Sequence, residues 1–470
     1  MAKTLTPKVL VIGGGPGGYV AAIRAGQLGL DCVLVESDRL GGTCLILGCI
    51  PSKAVIHAAG KFEAMAHSVG KGSCGIRLKE APVLDMAEML RWKETIVDKM
   101  NRGVAGLLGK ATVQVVTGRA EFSDGKTCEV QTASGPVTIK TEHVILATGS
   151  IALPFPGVPF GGSVISSSEA LSLERLPERL VVIGAGYIGL ELGIAYRKFG
   201  SKVTVIEARE QILPLYDKEL VRPVERWLER ADVTVHVGAK VTALRESANE
   251  CTVSVQTRDD APINVAADKV LVTVGRKPAT EGWGLENMAV DMRGPYINVD
   301  DQCRTSMRDV WAIGDVVGEP MLAHKASAQG AMVAEIIAGH RRRFDPVAIP
   351  AVCFTEPEIV TVGLLPLEAA RQGIETVSGV FPFAANGRAL TMEAADVGGF
   401  VRVLARPDNH RVLGIQAVGL LVSELSGEFA HALEMGAVLE DIAGTIHQHP
   451  TLSEAFHEAA LRALGHAIHI

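Results

Sequence analysis

The stretch GGTCLILGCIPSK, residues 41–53, holds two of the chain's eight cysteines, Cys44 and Cys49, among glycines and a proline. Two neighbouring thiols can cross-link, hold a metal, or store two electrons as a disulfide that opens and closes. On a regular helix, residues five apart differ by about 7.5 Å of rise and about 140° of rotation, so their side chains diverge. A disulfide needs Cα atoms within roughly 4.4–6.8 Å. The bridge therefore requires a distorted segment, and strained bridges are the readily reduced ones. Gly41, Gly42 and Gly48 supply the freedom, and Pro51 sets the next turn. The other six cysteines stand singly and read as small buried hydrophobes. No second Cys/His pair lies at a metal-site interval. The pair reads as a two-electron store, with structural or metal-binding roles as the alternatives.

Electrons stored there need an acceptor, and the sequence places one close by. The run VLVIGGGPGG (9–18) is an apolar strand followed by Gly13, Gly15 and Gly18 in G-x-G-x-x-G spacing, then a helical segment. A second apolar run, CVLVES, ends near Glu36. In such a unit the first glycine makes the turn, the second admits a pyrophosphate and the third packs helix on strand. The acid accepts a ribose hydroxyl. LVVIGAGYIG repeats the pattern with Gly184, Gly186 and Gly189, and KVTVIEARE carries Glu207. A carboxylate at Glu207 would repel a 2′-phosphate, which favours NAD over NADP, although Arg209 lies two residues on. Downstream, DVWAIGDVVG ends a strand in Asp315, an acid suited to a ribityl chain. The first unit is thus expected to bind FAD and the second NAD.

The remaining chain must hold these pieces together. Its 470 residues suggest roughly three domains, and 47% hydrophobic with 21% charged residues is a globular composition. A net charge of −7 gives no reason to expect nucleic acid or an anionic membrane as partner. The N-terminal run enters a strand directly and no apolar run suggests a span of roughly 18 residues, so a cytoplasmic location is expected. The fold class is α/β: a first Rossmann-like domain over 1–150, a second over 151–278, a central segment 279–349 completing the FAD site, and an α+β domain over 350–470. Residues 85–108 predict an amphipathic helix burying Met86, Leu90, Val97, Met100, Val104 and Leu108. Residues 111–140 predict a β-meander, and the proline-rich 151–180 a linker.

GGTCLILGCIPSK, the two glycine fingerprints, AIGDV (312–316) and HQHPTLSEAF (447–456) together resemble the pyridine nucleotide–disulfide oxidoreductase family, in order and over essentially the whole chain. Pro51-Ser52-Lys53 and Glu207 resemble its lipoamide branch. The resemblance implies a ping-pong reaction in which dihydrolipoamide reduces the disulfide, the thiols reduce FAD, and NAD takes the hydride. It makes Cys44 the exchange thiol and Cys49 the thiolate against the flavin. Lys53 is then the lysine beside the flavin, with Glu191 as its ion-pair partner. His449 is the expected base, oriented by Glu454, with His447 in support. Gly118 and Ala120 should border the FAD adenine, Ala323 the flavin, and Val241 and Gly275 the NAD. A base some four hundred residues from the cysteines implies a site completed across the interface of an obligate homodimer. The lipoyl domain or acyltransferase core of a 2-oxoacid dehydrogenase complex is the implied partner. One departure stands out: the family's C-L-N-V-G-C is here Cys44-Leu45-Ile46-Leu47-Gly48-Cys49, with a β-branched apolar residue in place of Asn.

Overall fold

The structure, a computed structural model, describes residues 3–70, 72–246, 250–259, 261–395 and 398–470. Two parallel five-stranded sheets repeat one wiring. In the first, Val9–Ile12 lies between Cys32–Glu36 and His143–Leu146, with Gln114–Thr117 and Val310–Ala312 at the edges. In the second, Arg179–Ile183 lies between Lys202–Ile206 and Lys269–Val272, with Thr234–His236 and Val164–Ile165 at the edges. The central strands VLVI, HVIL and RLVVI are almost wholly buried, as expected where helices cover both faces. Helices Pro16–Gln27 and Tyr187–Phe199 make the first crossover of each unit. The C-terminal domain is a five-stranded antiparallel sheet packed against helices Ser426–Glu434, Leu439–Gly444 and Glu454–Ala463, with Phe381, Phe429 and Phe456 in its core. The expected α/β and α+β architecture is therefore present.

Three expectations need correction. Gln114–Thr117, read as part of a meander, pairs in parallel with Cys32–Glu36, because Val116 faces the core above that sheet. The meander proper comprises Arg119–Phe122, Thr127–Thr132 and Gly135–Lys140. The segment read as a linker contributes Val164–Ile165 to the second sheet and Ser150–Ala152 to a two-stranded crossing with Arg276–Pro278. The inserted helix, Met86–Lys110, is capped by the Asp85 carboxylate on the Glu88 amide at 2.9 Å. It buries Met86, Val97, Val104 and Leu108, but Met100 is exposed. Met89 and Lys93 are buried instead, Lys93 by donating to the Leu171 carbonyl at 2.9 Å.

One stretch among the described residues, Thr43–His67, is long and apolar enough to cross a membrane by length and composition alone. It packs against Tyr187–Phe199 and Met86–Lys110, so its apolar residues have interior partners.

The central segment completes the first unit in two ways. It adds the edge strand Val310–Ala312, and it lays helix Ala323–Ile337 on Pro16–Gln27. That crossing is close: a Cβ at Gly330 would sit 2.3 Å from the Gly17 carbonyl oxygen. Gly330→Ala should therefore force the helices apart and cost roughly 1–3 kcal/mol. Thermal denaturation checks this; an unchanged midpoint would show that the crossing is looser than drawn.

Candidate active site

Both glycine loops have the same geometry. Gly13 and Gly184 sit at φ +99°, where a Cβ would lie 2.3 Å from the Ala147 oxygen and 2.6 Å from the Thr273 oxygen. Gly18 and Gly189 lie beneath, each against the carbonyl of the loop's first glycine. The middle glycines face open space: Gly15 has only the Gly42 Cα near, at 3.9 Å, and Gly186 has nothing within 4 Å. The acids brace these loops. Glu36 Oε2 accepts from the Gly14 amide and Glu207 Oε2 from the Ala185 amide, each at 2.7 Å. Their second oxygens accept from Asp38 and Arg209 amides at 3.0 and 2.8 Å. A carboxylate has about four lone-pair directions, so each acid retains capacity for a ribose hydroxyl.

A cavity of about 560 Å³ opens above the first loop. Gly13, Gly15, Glu36, Gly118, Ala120, Asp315 and Ala323 line it, together with Cys44, Cys49, Lys53 and Glu191. Helices Pro16–Gln27 and Ala323–Ile337 begin beside it, and neither has a side-chain cap on its first turn. Uncapped amides next to the Gly15 gap suit a pyrophosphate and an electron-rich ring edge, so the donor set fits FAD. Asp315 accepts from Ser150 Oγ at 2.5 Å, and Ser150 is held by Arg276 through Nε to Oγ at 2.8 Å and Nη2 to its carbonyl at 2.7 Å.

The cysteines lie on the distortion their spacing required. Thr43–Leu47 is a π turn, which hydrogen-bonds residues five apart, and it breaks at Gly48 (φ −143°, ψ −106°) before helix Cys49–His67 begins. Ile46, where the family has Asn, is buried in the first unit's core with Leu45. The two sulfurs, present as thiols, hydrogen-bond each other. That bond, assisted by the Lys53 charge, brings the Cys49 thiol down to about 7 against the effect of burial. The same bond, with burial, pushes Cys44 well up. When reduced, the pair thus loses its first proton close to neutral pH, and the resulting charge resides on Cys49. Among the described residues no three His, Cys, Asp or Glu side chains are grouped to hold a metal ion.

Lys53 Nζ donates to Glu191 Oε2 at 2.8 Å and lies 4.2 Å from the centre of the Phe354 ring. Glu191 is buried, and its Oε1 accepts from the Phe354 amide at 2.9 Å. His449 and Glu454 lie outside the cavity. His449 Nδ1 is 2.9 Å from Glu454 Oε1, and Glu454 Oε2 accepts from the Thr451 amide at 2.7 Å. Burial pushes Glu454 up, but the Thr451 amide and His449 outweigh it and hold the carboxylate below its ordinary range. The His449 ring is 79% exposed, free to reach another molecule. His447 is committed elsewhere: its ring is buried between Glu428 at 3.0 Å and the Thr445 carbonyl at 2.9 Å, and Glu428 raises its pKa.

The residues expected at the second cofactor form a separate group outside the cavity. The Gly184–Gly189 loop follows Arg179–Ile183, Glu207 follows Lys202–Ile206, and Gly275 follows Lys269–Val272, all at carboxyl ends of parallel strands. Val241 lies on the neighbouring strand Lys240–Glu246. Tyr187 and Arg276 of this unit reach the first cavity. Sequence reasoning missed Phe354, Ser150, Arg276 and Tyr187. Arg276, next to Gly275, and Tyr187, inside the second glycine fingerprint, carried a local signal.

A fold of two dinucleotide units with a dithiol between them matches a known class. The pyridine nucleotide-disulphide oxidoreductase profile covers residues 7–330, and that family's dimerisation domain covers 349–460. The chain belongs to this family. It is 57% identical over 473 residues to a dihydrolipoyl dehydrogenase of Pseudomonas aeruginosa, spanning 100% of both chains. It is 43% identical over 465 residues to the dihydrolipoyl dehydrogenase of Geobacillus stearothermophilus, with 98% and 97% covered. The crystal structure of LpdA from Mycobacterium tuberculosis superposes with a TM-score of 0.88 at 25% identity, over 97% of this chain and 99% of that one.

Because Lys53 lowers the Cys49 thiol, Lys53→Met should raise its midpoint from about 7 by roughly one unit and reduce the thiolate fraction at neutral pH. The pH dependence of alkylation of the reduced protein measures this. An unmoved midpoint would remove Lys53 from the electrostatics of the pair.

Proposed function

We propose that the protein oxidises protein-bound dihydrolipoamide with NAD+ through a Cys44–Cys49 disulfide and FAD. It does so as a homodimer serving the lipoyl domain and acyltransferase core of a 2-oxoacid dehydrogenase complex, or a glycine cleavage system. The observation that carries this reading is the split between the two thiols on the wall of a cavity fit for FAD. In a disulfide, attack succeeds best where the departing sulfur is the more stable thiolate. Cys49 is that sulfur, so the dihydrolipoyl thiolate attacks Cys44. A mixed disulfide forms on Cys44 and Cys49 departs as thiolate beside the Lys53 ammonium. The second lipoyl thiolate then displaces Cys44 and closes lipoamide, leaving the pair reduced by two electrons.

His449, oriented by Glu454, takes the proton that makes each lipoyl thiol a nucleophile, returns one to Cys44 and releases the other to solvent. A bound FAD supplies two-electron acceptance from Cys49 and hydride donation to NAD+. Gly13, Gly15, Gly18, Glu36, Gly118, Ala120, Asp315 and Ala323 would hold it. Gly184, Gly186, Gly189 and Glu207, bordered by Val241 and Gly275, would hold NAD. The domain divisions near 150, 278 and 349 separate these tasks.

His449 projects from the C-terminal domain and lies outside its own chain's cavity, which supports a base supplied by the second copy. Mixed dimers test this. Cys49→Ser and His449→Gln subunits should each be inactive. Co-assembled one to one, they should recover about a quarter of wild-type lipoamide turnover, since half the dimers are mixed and each has one complete site. Recovery of none would mean that base and thiols act within one chain.

A further inference from the structure

The helix carrying Glu191 carries a second buried charge two turns on. Lys198 is 7% exposed and pairs with Glu63 at 3.0 Å and Glu356 at 2.7 Å. Its ammonium also lies 5.5 Å from the Trp227 ring. Burial pulls Lys198 down, but Glu356 and Glu63 outweigh it and hold it above its ordinary range. Residues seven apart share one helix face, so Glu191 and Lys198 point the same way from Tyr187–Phe199.

The partners of the two residues come from the same two neighbours. Glu191 joins Lys53 of helix Cys49–His67 to the Phe354 amide; Lys198 joins Glu63 of that helix to Glu356. The signs are reversed, plus–minus at Lys53–Glu191 and minus–plus at Glu63–Lys198. Phe62 and Phe199 meet edge-on beside the second clamp, with centroids 6.1 Å apart. The redox helix is thus pinned at both ends to the second unit's helix and to one short segment, 354–356.

We propose that Lys198 is a positioning residue for the redox centre: by tying Glu63 to Glu356 it fixes the slide and rotation of helix Cys49–His67, and so keeps the Lys53 ammonium beside Cys49. One clamp alone leaves a helix free to pivot about it; two, separated by about 10 Å along the second helix, do not. The charge on Cys49 answers to the groups facing it. These are Cys44 from the π turn, Lys53 from its own helix, and Glu191 and Tyr187 from the neighbouring helix. Of these, Lys53 is the cation whose place depends on the helix's register. Lys198 does not line the cavity.

The inference rests on the reading of Cys49 as the thiolate beside FAD, and the test separates the two. FAD-loaded wild-type, Lys198→Met, Lys198→Arg and Glu63→Gln proteins are reduced anaerobically with dihydrolipoamide, and the long-wavelength thiolate–flavin absorbance is titrated with pH. Its midpoint should rise by roughly half a unit to one unit in Lys198→Met and Glu63→Gln, and return close to wild type in Lys198→Arg. A purely structural role would lower thermal stability and leave the midpoint in place, which would overturn the proposal. If Lys198→Met does not fold, Glu63→Gln decides on the same criterion. No absorbance in wild type would overturn both this inference and the functional reading; absorbance with unmoved midpoints overturns this inference alone.

Discussion

The redox chemistry depends on how closely the loop before the cysteines approaches the loop that would cradle FAD. Gly42 sits at φ +57°, and a Cβ there would lie 2.6 Å from the Gly15 Cα. The Gly41 amide also donates to the Gly14 carbonyl at 2.8 Å. Two backbones in direct contact cannot drift, so the π turn and both sulfurs inherit the position of the glycine loop. A side chain at Gly42 would open this contact and move the sulfurs away from the cavity wall. The dithiol is in this sense part of the nucleotide loop and not an attachment to it.

From that contact the electrostatics follow. A helix that starts at Cys49 presents its first turn to the thiolate, and Lys53 lies one turn further on. Its ammonium would be costly to hold near a buried surface without a counter-ion, and Glu191 supplies one from a different unit. Glu191 in turn spends its second oxygen on an amide of the C-terminal domain. The first dinucleotide unit, the second and the dimerisation domain therefore meet at one carboxylate, paired with the lysine one turn beyond Cys49. A second link between the latter two, the buried Arg402 guanidinium with Asp217, Glu219 and Gln416, holds the second dinucleotide unit on the C-terminal sheet. Electron transfer between two cofactors in separate domains requires that the domains keep their distance, and these contacts do that.

What the sequence revealed and what it concealed have a common cause. The glycine spacings, the acids Glu36 and Glu207 and the i, i+5 cysteines are local patterns, in which residue type and interval alone state the chemistry. The need for a distorted turn could be deduced from helix geometry without coordinates. Phe354 and Ser150 could not, since they reach Glu191 and Asp315 across 163 and 165 residues and no spacing rule spans that range. Gln114–Thr117 was misjudged because an edge strand half open to solvent looks the same whether its neighbour is parallel or antiparallel. Met100 was misjudged because the inserted helix faces two neighbours, so its buried face is broader and displaced towards Lys93. Thr43–His67 shows that an apolar helix built to lie between domains has the composition of a membrane span.

The most direct test of the central claim is anaerobic addition of dihydrolipoamide to the FAD-reconstituted protein while the visible spectrum is followed. If the two sulfurs are held against the flavin with the charge on Cys49, a long-wavelength absorbance should appear at pH values above about 7 and be absent from Cys49→Ser. A protein that stays colourless after reconstitution, or lipoamide turnover that survives serine at position 44 or 49, would contradict it.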